Sequence, residues 1–252
     1  MTPEPPPRFR ELLGGATGRG IRIGVIDTGW DRALPDPRVL PGVGLTDPDD
    51  DFALLRTDDD NDRLGHGTAC ADLILRLAPA ASIVSIRVFG GQLETSPAAL
   101  RAGIEWAAEQ AIPLVNLSLG TTLEHERAPL LAACERARRG GMLIVASAPN
   151  AGPATYPAAF HEVIGVDAGD FPTPWDFRHR AGDIIECTAA GMNQRLRWLG
   201  GREEVMSGTS FAAPHITGIV ALILERYPRA ALEEVREVLG RLGVREGPHP
   251  CS

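Results

Sequence analysis

The sequence predicts an α/β fold, a three-layer, doubly wound, mostly parallel sheet with helices on both faces. Three observations predict it. Short apolar runs ending in turn residues alternate along the chain with helical patterns, the order of successive βαβ units. The runs are continuously apolar, as strands covered on both faces must be. The chain has 252 residues, 44% of them hydrophobic, enough for one domain with a sizeable core.

Residues 1–19 are rich in Pro, Arg and Gly and read as a flexible tail ahead of a single domain at 20–245, with 246–252 as a C-terminal tail. The first strand is IRIGVID (21–27), ending at Thr28-Gly29. ASIVSIRVF (81–89), PLVNLSL (113–119), MLIVAS (142–147) and HEVIGVDA (161–168) repeat the pattern. Helices are predicted between them at 66–78, 96–111 and 125–139. Ser96-Pro97 supplies an N-cap and a first-turn proline, and Gly140-Gly141 a stop. Near the C-terminus, FAAPHITGIVALILERY (211–227) is apolar on nearly all sides and predicts a buried helix. RAALEEVREVLGRL (229–242) is amphipathic and belongs at the surface. No internal repeat or linker divides the chain.

The formal net charge of −8 argues against nucleic acid or an anionic membrane as the main partner. All basic residues are arginine. No run of about 18 apolar residues is present to span a membrane, and the N-terminus lacks the apolar core of a secretory signal. Cys70, Cys134, Cys187 and Cys251 are widely spaced, which fits free thiols in a reducing compartment. A cytoplasmic location is the expectation.

Sites in open α/β sheets form beyond the carboxyl ends of strands, and Asp27, Ser118 and Asn150 lie at or just past such ends. Three segments carry chemistry: VIDTGW (25–30), GHGTACA (65–71) and SGTSFAAPH (207–215). A serine hydroxyl becomes a useful nucleophile when a base takes its proton and a third group orients the base. Ser210, His66 and Asp27 are the residue types for those roles. Gly65 and Gly67 let the backbone pass closely around His66, and Ser210 stands at the positive end of the buried helix.

In the order Asp, His, Ser, with the D-T-G strand end, H-G-T, and G-T-S-x-A-x-P-H, the chain resembles the subtilisin-like serine proteases, or subtilases. GIEWA (103–107) and NLSLG (116–120) between the motifs strengthen the likeness, which runs from about residue 20 to about residue 228. The resemblance implies a subtilisin-like fold and a serine endopeptidase working through Asp27, His66 and Ser210. It implies an oxyanion hole from the Asn150 side chain and the Ser210 backbone N–H. It places an extended peptide or protein substrate along Ser118, Leu119 and Gly120 as an added strand, with the region around Leu93 to Ser96 as the opposing edge. Leu100 and Leu119 would line an apolar pocket four residues before the scissile bond.

Departures from the family pattern bear on specificity. Ala148-Pro149-Asn150 stands where A-G-N is usual, so Pro149 should narrow the primary pocket, and Thr155 stands where a small residue often opens it. Together they favour a small side chain. The usual calcium-binding loop after the histidine helix is absent, so no cofactor or metal is expected. The acidic run Asp58–Asp62 could offer oxygens to a hard cation but reads better as a solvated loop. Asp62 is a candidate substrate contact, selecting a basic residue two positions before the cut. Cys70 matches the buried thiol of the thiol-dependent subtilases. Only about twenty residues precede the first strand, so an intracellular member folding without a prodomain is expected, with MTPEPPPRFR at most lying across the cleft. One narrower reading is a protease processing a dedicated precursor. The alternative is a subtilase-fold module that binds peptides without cutting, for which Pro149 is the one foothold. A hydrolase built on a cation at Asp58–Asp62 is a third reading. Oligomeric state is open.

Overall fold

The computed structural model describes residues 3–46, 55–92 and 94–244. Eleven strands and six α-helices follow one another in these segments. The chain opens with α1 (Pro7–Leu13), then β1 (Arg22–Asp27), β2 (Val39–Thr46), β3 (Leu55–Thr57), α2 (His66–Leu77) and β4 (Ser82–Arg87). It continues through α3 (Pro97–Glu109), β5 (Leu114–Leu117), α4 (Glu124–Arg139), β6 (Leu143–Ser147), β7 (Ile164–Gly169), β8 (Phe177–His179) and β9 (Cys187–Ala190). The hairpin β10 (Gln194–Arg197) and β11 (Glu203–Met206) leads into α5 (Thr209–Arg226), and α6 (Leu232–Leu242) closes the described chain.

Nine strands form one sheet in the order β3-β2-β4-β1-β5-β6-β7-β9-β8. All pairings from β2 to β9 are parallel, and only the edge strands β3 and β8 run antiparallel. Successive residues of the central strands point to opposite faces. Ile23, Val25, Leu143 and Val145 pack under α2, α5 and α6, whereas Ile26, Val115, Leu117, Ile144 and Ala146 pack under α3 and α4. The predicted three-layer α/β sandwich is the observed one.

α5 is buried along almost its whole length, as its all-round apolar sequence requires. Among the described residues, no helix is long and apolar enough to cross a membrane. α3 begins as expected, with Ser96 Oγ accepting from the Ala99 N–H at 3.1 Å and Pro97 in the first turn. Cys70, Cys134 and Cys187 are buried free thiols; Cys251, the C-terminal tail and Leu93 lie outside the described residues. Inside the core, His215 Nδ1 bonds the Ala190 carbonyl at 2.7 Å, and burial pulls its pKa down to about 4.

Several elements depart from the sequence reading. β2 contains Pro41-Gly42, and its pairing with β4 shifts register between Leu40 and Val43, which breaks its apolar run. The hairpin β10–β11 is largely polar and carries no continuous apolar run. The predicted flexible tail is corrected most: residues 7–13 form a helix. Pro7 sits in its first turn and Gly14 closes it at φ 62°. Phe9 and Leu13, four apart and so on one face, are buried. Phe9 meets Trp175 edge-on with centroids 5.2 Å apart, Arg8 pairs with Asp176 at 2.8 Å, and the Leu242 carbonyl accepts from Arg8 at 2.7 Å. Farther along, Glu225 accepts the backbone N–H groups of Thr17, Gly18 and Arg19 at 2.6 to 2.9 Å. These anchors belong to α5, α6 and the approach to β8, so residues 3–19 dock there instead of across the carboxyl ends of β1 and β5.

Phe9→Ala should lower the unfolding free energy by about 3 kcal/mol, the usual loss for a buried phenylalanine. Chemical denaturation checks this; an unanchored tail would leave the midpoint unchanged.

Candidate active site

β1 ends on Asp27, whose side chain is wholly buried. A buried carboxylate must find donors, and Asp27 Oδ1 accepts from the Thr28 N–H and from His66 Nδ1, each at 2.7 Å. His66 is the first residue of α2, half-buried against Asp27 on one side and the Phe211 ring on the other, with centroids 5.4 Å apart. The approach of α2 to β1 is possible because position 67 is glycine: a Cβ there would lie 2.4 Å from the Gly29 carbonyl. Gly67 N–H instead donates to Thr28 Oγ1 at 2.8 Å. Burial disfavours the charged imidazole, but the Asp27 carboxylate, with a further contribution from Cys70, outweighs it and raises the His66 pKa well above its ordinary value. With Nδ1 committed to Asp27, Nε2 is the nitrogen left for chemistry.

Ser210 is the second residue of α5. Its Oγ donates to the Ser118 carbonyl at 3.3 Å, and among the described residues no hydrogen bond joins it to His66. Ser118 Oγ in turn donates to the Ser210 carbonyl at 2.8 Å. Beneath them, buried Asn116 donates to Ser118 Oγ at 3.0 Å and accepts from Thr217 at 2.8 Å, tying β5 to α5. Asn150, just past β6, accepts through Oδ1 from the Thr209 N–H at 2.9 Å and from the Thr209 hydroxyl at 3.2 Å. Its amide nitrogen therefore remains free to donate beside Ser210.

Asp27, His66, Ser210, Ser118 and Asn150 thus converge where β1, β5 and β6 end. A model of the Subtilase family of S8 peptidases matches residues 18–241. The chain belongs to the subtilase family. It is 32% identical over 234 residues to the thermostable alkaline protease of Halalkalibacterium halodurans, covering 88% of this chain and 62% of that one. With subtilisin Savinase of Lederbergia lenta it shares 30% identity over 236 residues, 89% of this chain and 84% of the relative. A solved cold-adapted subtilisin-like serine proteinase superposes with a TM-score of 0.74 at 25% identity, over 90% of this chain and 83% of the other.

In this subtilase the segments after β5 and β6 pack against each other. Gly120 is exposed, and Thr155 crowds it so closely that a Cβ at 120 would lie 3.2 Å from both Thr155 Cβ and Oγ1. Reciprocal backbone bonds at 2.8 Å between Thr121 and Tyr156 brace the two segments. Pro149 is half-buried next to Asn150.

Two expected substrate contacts are corrected. Asp62 is buried and spends its carboxylate on the backbone around His66, leaving nothing to face a substrate. Leu100 is buried in the core under α3, so only half-buried Leu119 of that pair reaches the surface. The acidic run is solvated only in part, with Asp58 and Asp59 exposed and Asp60 and Asp62 buried. Asp60 is buried and paired with Arg32, Asp59 pairs with Arg63 at 2.7 Å, and Arg87 reaches Asp59 at 3.4 Å. Protein donors thus already meet the carboxylates of Asp59 and Asp60. Among the described residues, the donor set that converges closely enough for a metal is Asp27, His66 and Cys70, within 4.8 Å of one another. An ion there would take the His66 nitrogen that bonds Asp27. Sequence reasoning missed the supporting roles of Thr28, Asn116, Thr209 and Phe211; all four lie inside the quoted motifs, which was the available signal.

The imidazolium of His66 should persist well above pH 6.5. Because the native pKa is the raised one, the pair stabilises the fold fully below about pH 6.5 and loses this contribution as pH rises through the native value. Titration of the ring protons by NMR checks the midpoint, which Asp27→Asn should lower.

Proposed function

We propose that the chain is a serine endopeptidase that cleaves extended peptides through an Asp27–His66–Ser210 triad. The observation that carries this reading is the buried 2.7 Å bond from His66 to Asp27 at the strand ends that also place Ser210 and Asn150. A substrate strand lies along Ser118 to Gly120, and its N–H takes over the Ser118 carbonyl. Released from that carbonyl, the Ser210 hydroxyl turns to His66 Nε2. Ser210 Oγ bonds the carbonyl carbon while its proton passes to Nε2. The oxyanion is met by the Asn150 amide and the Ser210 N–H, donors aimed at charge that exists only in the transition state. His66 then protonates the leaving nitrogen, the C–N bond breaks, and water, deprotonated by His66, hydrolyses the acyl-enzyme. No cofactor enters.

The base works when neutral, so kcat/KM should rise with pH through the raised His66 pKa. Asp27→Asn should move this limb down and cut kcat by about 10⁴-fold, the general effect of leaving the imidazole in the wrong tautomer. A fluorophosphonate should label Ser210 in the native chain. Absence of labelling under conditions where a control serine protease reacts would instead favour the peptide-binding module.

Thr155 against Gly120, with Pro149 beside Asn150, supports a primary pocket suited to a small side chain. Thr155→Gly should raise kcat/KM for a bulky residue before the scissile bond, relative to alanine, by about tenfold or more. An unchanged ratio across a peptide library would remove Thr155 from specificity. The same narrow pocket supports the processing of a dedicated precursor; equal cleavage of casein and of unrelated short peptides would count against it.

A further inference from the structure

We propose that Asp62 is the positioning residue of the catalytic base, its buried carboxylate fixing the turn and helix start that carry His66. This inference rests on the reading of His66 as general base. Asp62 Oδ1 accepts the N–H groups of Leu64 at 2.9 Å and Gly65 at 2.8 Å. Asp62 Oδ2 accepts the Thr68 N–H at 3.0 Å and the Thr68 hydroxyl at 2.6 Å. These four donors flank His66 on both sides in sequence.

The helix start depends on them. α2 begins after Gly65, which sits at φ 98° and has no side chain to cap the open N–H groups. Thr28 satisfies one of them, on Gly67, and Asp62 satisfies the next, on Thr68. A negative carboxylate at a helix N-terminus is also favoured by the dipole. Asp62 is itself fixed to the chain just beyond Asp27, since its N–H donates to the Trp30 carbonyl at 2.9 Å. Asp27 and His66 are therefore referred to one another twice, by their own bond and through Trp30–Asp62–Thr68.

The frame reaches the nucleophile's side as well. Thr68 Oγ1 accepts from the Asp31 N–H at 3.0 Å, and Asp31 Oδ2 accepts from the Gly200 N–H at 2.7 Å. Gly200 lies between β10 and β11, and β11 runs into the segment before Ser210. From the same connection, Trp198 covers Gly65 so closely that a Cβ at 65 would lie 2.3 Å from the indole. A carboxylate suits position 62 because every group opposite can donate. An asparagine would keep one acceptor oxygen and turn an NH₂ toward the Thr68 side, leaving that N–H without an acceptor.

Positioning is separable from stability by kinetics on the full chain. Asp62→Asn and Asp62→Ala are compared with the native chain for kcat, KM and the second-order rate of Ser210 labelling by a fluorophosphonate, all normalised to folded protein. A displaced base slows chemistry without weakening substrate binding. The expectation is a fall in kcat and labelling rate of about tenfold for Asn and about 100-fold for Ala, with KM nearly constant. Phe9→Ala, remote from the site, should lose stability at unchanged kcat. If Asp62→Ala does not fold, Asp62→Asn, which keeps the volume and one acceptor, decides. Variants that lose only thermal stability overturn the proposal, as does a rise in KM alone, which would make Asp62 a substrate contact. A native chain that fails to label at all overturns the base reading, and the positioning role with it; labelling at equal rates in native and variant chains overturns positioning alone.

Discussion

A fully buried carboxylate at the end of a central strand is the constraint around which this molecule is arranged. Desolvating Asp27 costs several kcal/mol unless charge and hydrogen bonds compensate. The compensation comes from the next peptide N–H and from one imidazole. The fold must therefore bring α2 against the tip of β1, and the glycine at 67 makes that approach possible. Both donors fall on Oδ1, while buried Oδ2 has no partner among the described residues. The same bond to Oδ1 gives His66 its raised pKa and leaves its Nε2 free. Stability and the proposed chemistry draw on one interaction and pull in opposite directions with pH: the protonated pair is the more stable, the neutral imidazole the useful base.

α5 supplies the second fixed point. Because it is apolar on all sides and sealed between the sheet and α2, its first turn cannot drift. Polar links from β5 fix its register, through Asn116 to Thr217 and through Ser118 to Ser210. Such buried bonds hold a register that apolar packing alone would leave slack. Ser210 is thus set against β5 and His66 against β1, and the two strands are hydrogen-bonded neighbours. The spacing of the pair is inherited from the sheet. Flexible loops need not create it.

Much of this was legible in the chain. Continuous apolar runs gave β1, β4, β5, β6 and β7, because strands buried on both faces have no choice of composition. The helices were readable from periodicity and from Ser96-Pro97 and Gly140-Gly141. Elements that escaped share a physical cause, a lack of such pressure: β2 is interrupted at Pro41-Gly42, β8 and β9 are short, and β11 is exposed throughout. α1 escaped because Pro-rich sequence suggests a tail, whereas its order comes from Phe9 reaching Trp175, far away in the chain.

The sequence by itself determined the layered α/β class and the family likeness, and it singled out Asp27, His66 and Ser210 as candidates, because motif chemistry and strand composition are local properties. Only the tertiary structure decided what the neighbouring polar residues do. Asp62 stands four residues before His66, and nothing local distinguishes a carboxylate facing a cleft from one folded back onto its own backbone. Leu100 and Leu119 look alike as letters, yet one is core and the other surface. Hydrogen-bond partners and burial are set by segments distant in sequence, and those become neighbours only when the chain is packed.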